Sequence, residues 1–210
     1  MNRIIVFALM LFCMTMQIEA QTLSEEEVTA KMYQAFELNK AGKKAEALEL
    51  FLIVGENTKQ QRNEGERQVY VCSQTMACQC YELLGRYQEG YLLGKSLLQG
   101  KLNDEERKDV GHLYAMNGYM YACEFIQRDE KGRADYKRGR ELISEILPYS
   151  DGQVKEYAET KIPLSWYFEG AQYAMTQSYD EALSSYEKAL NGFRDLGRVS
   201  EEIDVLCGIA

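Results

Sequence analysis

The sequence predicts an all-α chain, an array of antiparallel helix pairs stacked as a solenoid. Three observations carry this. First, small residues recur in register: Ala47, Gly90, Gly139 and Ala182 lie 43, 49 and 43 residues apart. Second, a matching set precedes them: Ala35, Cys78, Gly118 and Gly170 lie 43, 40 and 52 residues apart. A small residue on each of two neighbouring helices lets their backbones approach closely, and a register shared by four pairs of sites marks one unit repeated. Each glycine alone is weak evidence, since it costs a helix about 1 kcal/mol against alanine. Third, no segment alternates polar and apolar residues for long enough to make a strand, and no linker rich in Pro, Gly or Ser divides the chain after residue 20.

Residues 1–20 stand apart from the array. Arg3 gives a positive start, Ile4 to Met16 is an uncharged run of thirteen mostly apolar residues, and Ala20 offers a small residue before Gln21. That is the layout of a secretory signal peptide, and the run is short for a membrane span. Bulky Phe12 precedes Cys13, which argues against lipid attachment there. The expected product is an exported chain of residues 21–210, periplasmic or extracellular, with no membrane span.

Nine helices follow. The first, 24–41, opens on Ser24 with Glu27 three residues on, a capping box. The second, 44–58, carries Ala47, Leu48, Phe51 and Val54 on one face. The next pair is 63–84, with Cys78 and Tyr81, and 87–99, with Gly90, Gly94 and Leu97. Helix 103–127 begins on Glu105 and Glu106, which offset the macrodipole, and carries Gly118 and Tyr121. A polar loop from Arg128 to Asp135 leads into 134–147, whose Tyr136, Gly139, Ile143 and Ile146 precede Pro148, a helix terminator. The last three are 152–176, 179–195 and 199–210. Leu206, Ile209 and Ala210 repeat the spacing of Trp166, Glu169 and Gly170 forty residues later, so the chain stops inside the first helix of a fifth unit. A solenoid ordinarily ends on a polar capping helix. The sequence therefore predicts either a piece of a longer protein, the favoured reading, or an end that packs against a partner or a second copy.

The clearest unit reads Trp166, Gly170, Tyr173, Tyr179-Asp180-Glu181-Ala182, Tyr186, Ala189-Leu190. It resembles the tetratricopeptide repeat (TPR), with Gln177 standing where that family usually has a turn glycine. The resemblance implies a right-handed superhelical α-solenoid, four repeats and the start of a fifth. The period of 40 residues or more exceeds the family's usual 34.

Composition narrows the function. A net charge of −9, from 24 basic and 33 acidic side chains, argues against nucleic acid and anionic membrane as partners, because both need a basic face. After residue 20 five cysteines remain, Cys72, Cys78, Cys80, Cys123 and Cys207, an odd set that reads as buried thiols rather than a disulfide framework. The only histidine, His112, shares a helix with Cys123 at a rise of about 16 Å, beyond hydrogen-bond reach. Cys78 and Cys80 point to different faces and no second pair follows at zinc-ligand spacing. Phosphate-loop, dinucleotide-fold, nucleophile-elbow and zincin motifs are absent from the sequence. The sequence thus predicts no enzyme, no cofactor and no metal, with catalytic residues none.

What remains is a binding surface. In the resembled family the first helices of successive repeats line a concave groove. The helix phase then places Met32, Tyr33 and Phe36, Met76 and Gln79, Met116 and Tyr119, and Tyr167 and Phe168 on it, with Thr75, Ala115 and Ala171 beside them. Lysine and asparagine, which clamp a peptide carboxylate in some family members, are not at these positions. The groove reads as aromatic and methionine-rich, suited to an apolar peptide or helix; the competing reading is that these residues pack on one another or on a further domain. The expected function is a protein-interaction scaffold. The alternative is the sensory or regulatory N-terminal module of a larger enzyme, since exported long-period repeats of this kind resemble those of bacterial sensor kinases and caspase-like CHAT-domain proteases. Self-association through the uncapped C-terminal end is also expected.

Overall fold

A computed structural model describes residues 23–127, 132 and 134–209. The signal-peptide reading of residues 1–20, most of the 128–135 loop and Ala210 lie outside the described residues. Within them the chain is all α, with nine helices and no strand. In order these are α1 (Glu25–Lys40), α2 (Lys44–Thr58), α3 (Glu64–Leu83), α4 (Tyr87–Leu98), α5 (Asp104–Ile126), α6 (Tyr136–Ile146), α7 (Gly152–Met175), α8 (Tyr179–Asp195) and α9 (Val199–Ile209). A single 3-10 turn, Leu147–Tyr149, follows α6 at Pro148. No described helix is long and apolar enough to cross a membrane.

Local chemistry sets the ends. Ser24 Oγ accepts from the Glu27 amide at 3.2 Å while Glu27 accepts from the Ser24 amide at 2.8 Å, the expected capping box. A second box, Asn103 with Glu106, opens α5 at 2.9 Å both ways, and Asn63 caps α3 through the Glu66 amide at 2.9 Å. Four other connections are tight and alike. Gly42, Gly85, Gln177 and Gly197 each hold a left-handed backbone, with φ of 81°, 70°, 62° and 66°. In each, the next amide reaches back five residues, as from Lys43 to the Leu38 carbonyl at 2.9 Å and from Ser178 to Tyr173 at 3.0 Å. These are Schellman turns, which satisfy the last carbonyls of a helix within three residues. The α2, α4 and α8 helices that follow such turns begin without a side-chain cap.

Each helix packs on the next, and α3 also packs on α5 and α5 on α7. The small residues mark the close approaches. A Cβ on Gly170 would lie 2.8 Å from the Tyr186 ring and 3.2 Å from the Ala182 carbonyl, as the motif implies. Gly139 meets Ile126 and the Ala122 carbonyl instead of Gly118, and Gly118 meets Ile146 and Tyr91, so the expected pairing of Gly118 with Gly139 is not made. Pro163 sits inside α7, and its ring occupies the space that a side chain at Gly192 would need, 2.8 Å from the ideal Cβ.

The core is a chain of clusters rather than one mass. Ala35, Ala47, Phe51, Ala77 and Cys80 form one at the N-terminal end; Tyr91, Tyr114, Leu142, Ile143 and Ile146 form the central one; Ala182, Tyr186, Ala189, Phe193 and Val205 form the last. Polar ties link them. Arg67 holds Glu106 through two bonds of 2.8 and 3.0 Å, joining the starts of α3 and α5. Glu145 accepts from Tyr91 at 2.9 Å, Tyr114 at 2.8 Å and Lys95 at 2.6 Å, joining α4, α5 and α6. Burial pushes the Glu145 carboxyl up, but the bonds from Lys95, Tyr114 and Tyr91 outweigh this and hold it below the usual carboxylate range.

The cysteines divide. Cys78, Cys80 and Cys123 are buried, and the Cys78 and Cys80 sulfurs do turn to different neighbours, the Gly90 carbonyl and Asn39. Cys72 and Cys207 are exposed free thiols, a correction to the expectation that all five are buried. Burial alone pushes the Cys78 thiol up to about 12, which leaves it inert at neutral pH.

Candidate functional site

The nine residues expected to line the groove fall into three groups. Met32, Tyr33 and Phe36 border a hollow of about 260 Å³ between α1 and α3, closed by Val28, Thr29 and Val69. Tyr33 is 71% exposed, and Phe36 turns the edge of its ring to buried Phe51 with centroids 5.4 Å apart. Met76 and Gln79 border a second hollow of about 360 Å³ between α3 and α5, with Thr75, Leu113 and His112. His112 Nδ1 lies 3.0 Å from Asp151, so the imidazole fastens α5 to the start of α7. The remaining four border neither hollow. Met116 and Tyr119 pack half-buried on the central cluster, and Tyr119 stacks on Tyr157 at 6.3 Å. Tyr167 packs on Tyr186 at 5.7 Å, and Phe168 is 39% exposed beside it. Five of the nine residues therefore border two small hollows toward the N-terminal end, and the other four lie on a flatter, filled surface.

A larger cleft opens elsewhere. A trough of about 1060 Å³ runs between α6 and α8, with α7 as its floor. The floor is the stripe Ile162, Trp166, Glu169 and Tyr173, spaced 4, 3 and 4 residues and so on one helix face. From α6 come Lys137, Arg140, Glu141 and Ser144; from α8 come Asp180, Glu181, Ser184, Ser185 and Lys188. The trough exists because α6 and α8 both rest on α7 without packing closely on each other, and because α6 has only 11 residues.

Trp166 is its centre. The Arg140 guanidinium lies 3.4 Å from the ring centroid and the Lys188 ammonium 4.2 Å from it. Arg140 is 9% exposed and is held by Glu169 at 3.0 Å and the Ser165 hydroxyl at 3.3 Å. Burial pulls its pKa below the usual arginine value, and the nearby Glu169 carboxylate opposes the shift. A guanidinium buried at this cost contributes little net stability compared with an apolar side chain of the same volume. Buried charge in a cleft is the pattern that binding sites show.

Sequence reasoning missed this trough, although it left a trace. Tyr136, Gly139, Ile143 and Ile146 form the buried stripe of α6, and Arg140 falls beside them, a charge at a core position. The lone tryptophan, four residues before Gly170, was read only as a space-filling motif residue. Among the described residues no group of three or more His, Cys, Asp or Glu side chains converges as metal ligands do. No protein-family model, curated protein or solved structure matches this chain.

Proposed function

We propose that the chain is a tetratricopeptide-like α-solenoid of antiparallel helix pairs, and that it acts as a non-enzymatic protein-interaction scaffold. One observation carries the reading: each helix packs on its sequence neighbour, and alternate helices α3, α5 and α7 pack on one another in turn. Nearest-neighbour contact of this kind is how stacked helix pairs bury their faces. The helices α3, α5 and α7 then form one continuous face with α1 across the first hollow, and a partner segment seats its apolar side chains in the two hollows at Met32–Phe36 and Met76–Gln79. Exposed Tyr33 and Phe36 supply rigid aromatic area there.

The test is peptide selection by phage display on residues 21–210. Enriched peptides are expected to carry apolar anchors at helical or alternating spacing. Their binding is expected to fall about tenfold or more in the Tyr33→Asp/Gln79→Lys variant, whose two positions are exposed, while its thermal melting stays within a few degrees. Equal binding by that variant would refute the assignment of the face. Export is a separate part of the proposal: mass spectrometry of the protein from fractionated cells is expected to find a mature chain beginning at Gln21.

A further inference from the structure

We propose that the α6–α7–α8 trough is a second recognition site, one that takes a short extended peptide bearing a basic side chain at one end and an acidic one at the other. The argument starts from shape. The floor from Ile162 to Tyr173 spans eleven residues of α7, about 16 Å at the helical rise. A volume of about 1060 Å³ over that length gives a mean cross-section of about 65 Å². A helix with side chains, 10–12 Å across, needs roughly 80–110 Å². An extended chain, with strand spacing near 4.8 Å and sheet spacing near 10 Å, needs roughly 50 Å². The trough's cross-section matches the second more closely than the first.

Charge then sets the chemistry. On the α8 wall, Asp180 and Glu181 stand at one end and Lys188 eight residues on, about 12 Å away. Lys188 has no carboxylate partner among the described residues; its ammonium lies against Trp166. Arg140 does not compete for the ligand's carboxylate, because Glu169 and Ser165 already hold it. The trough thus presents opposite charges about 12 Å apart on α8, above a floor whose aromatic side chains are Trp166, beneath Lys188, and Tyr173. In an extended peptide, residues 1, 3 and 5 point to one side and residues 1 and 5 lie about 13 Å apart. A peptide with base, aromatic and acid at those positions places the base on Asp180 and Glu181, the ring over the floor beside Trp166 and Tyr173, and the acid on Lys188.

Trp166 is the only tryptophan in the chain, so its emission reports occupancy of this trough and no other place. That also separates the proposal from the first-helix face, whose failure leaves it standing. The probes are three acetylated, amidated pentapeptides: Lys-Ser-Phe-Ser-Glu, Lys-Ser-Phe-Ser-Lys and Glu-Ser-Phe-Ser-Glu. Titration at low salt is expected to shift Trp166 emission with the mixed-charge peptide, at about tenfold higher affinity than with either single-sign peptide. Lys188→Glu is expected to move the preference to the doubly basic peptide, and Asp180→Lys/Glu181→Lys to the doubly acidic one. All three substituted positions are exposed, so Lys188→Glu is expected to melt like the parent, and Asp180→Lys/Glu181→Lys, which reverses the charges of the first turn of α8, a few degrees lower. Equal affinity for the three peptides, or a preference that charge reversal leaves unmoved, would overturn the proposal. So would concentration-dependent dimerisation abolished by Lys188→Glu, since the trough would then hold a second copy of the chain.

Discussion

Gln177 is the residue whose replacement tests the repeat register most directly. It occupies the turn position that Gly42, Gly85 and Gly197 fill elsewhere, at φ 62°, with the same pair of backward amide bonds. A side chain with a Cβ in the left-handed region costs about 1–2 kcal/mol. Glycine removes that strain, but it gives the unfolded chain more freedom, worth about 0.5–1 kcal/mol in the other direction. Gln177→Gly is therefore expected to stabilise the protein by about 0.5–1 kcal/mol, or about 1–4 °C in Tm for a chain of this size. The mirror substitution is Gly85→Ala: nothing lies within 4 Å of a Cβ there, so its loss of stability reports backbone strain alone. Thermal melting by circular dichroism measures both. Because contacts run between neighbours along the chain, hydrogen exchange at the Gln177 and Ser178 amides is expected to slow about two- to fivefold. An unchanged or lowered Tm for Gln177→Gly would refute the reading of residue 177 as a strained member of a repeated turn.

Three further outcomes follow from the packing. Gly90→Ala would put a methyl 2.2 Å from Asn117 Oδ1, in a junction where Asn117 is fully buried, and is expected to cost about 1–3 kcal/mol by chemical denaturation; in an Asn117→Ala background most of that cost should vanish, and a cost unchanged there would rule out the clash. Glu145→Gln tests the knot of Tyr91, Tyr114 and Lys95. The Glu145 carboxyl is held below its ordinary value of 4.5, so its stabilising effect is complete above that value and lost as pH falls through the lower, folded-state pKa. The Tm difference between parent and variant is accordingly expected to be full at about pH 7 and to shrink below about pH 4, and a difference constant across that range would contradict the assignment. Arg140→Ala leaves Glu169 half-buried without its partner and is expected to cost about 3 kcal/mol, whereas Arg140→Met/Glu169→Met is expected to recover most of it.

The helices were legible in the sequence because their signals are local. Ser24 with Glu27, the Pro148 stop and the turn glycines act over three to five residues, and the structure places element ends within about two residues of those signals. Pairwise approach was legible wherever a small residue had no alternative use, as at Ala35, Ala47, Gly170 and Ala182. It was misread in the third unit, where Gly139 settles on Ala122 and Ile126, because a helix register can slide by a turn without changing its hydrophobic pattern. Surface geometry was less legible still. Periodicity names the face on which Met116 and Tyr119 lie, but whether a side chain on that face stays open or leans onto the core depends on the neighbouring helix. Tyr157, thirty-eight residues on, is what covers Tyr119.

The trough lies beside the stretch of sequence whose small-residue spacing is least regular. The buried stripe of α6 is turned toward α5, where Ala122, Ile126, Leu142, Ile143 and Ile146 pack together. The same cluster takes in Val154 and Ala158 of α7, and beside it Arg140 is tied to Ser165 and Glu169 and laid against Trp166. An apolar side chain at residue 140 would draw α6 and α7 together, as Ala182 and Gly170 draw α7 and α8 together. A guanidinium must keep its hydrogen bonds, and it holds the two helices at the distance those bonds require. The open cleft beside Trp166 lies where α6 and α8 both rest on α7 without closing on each other.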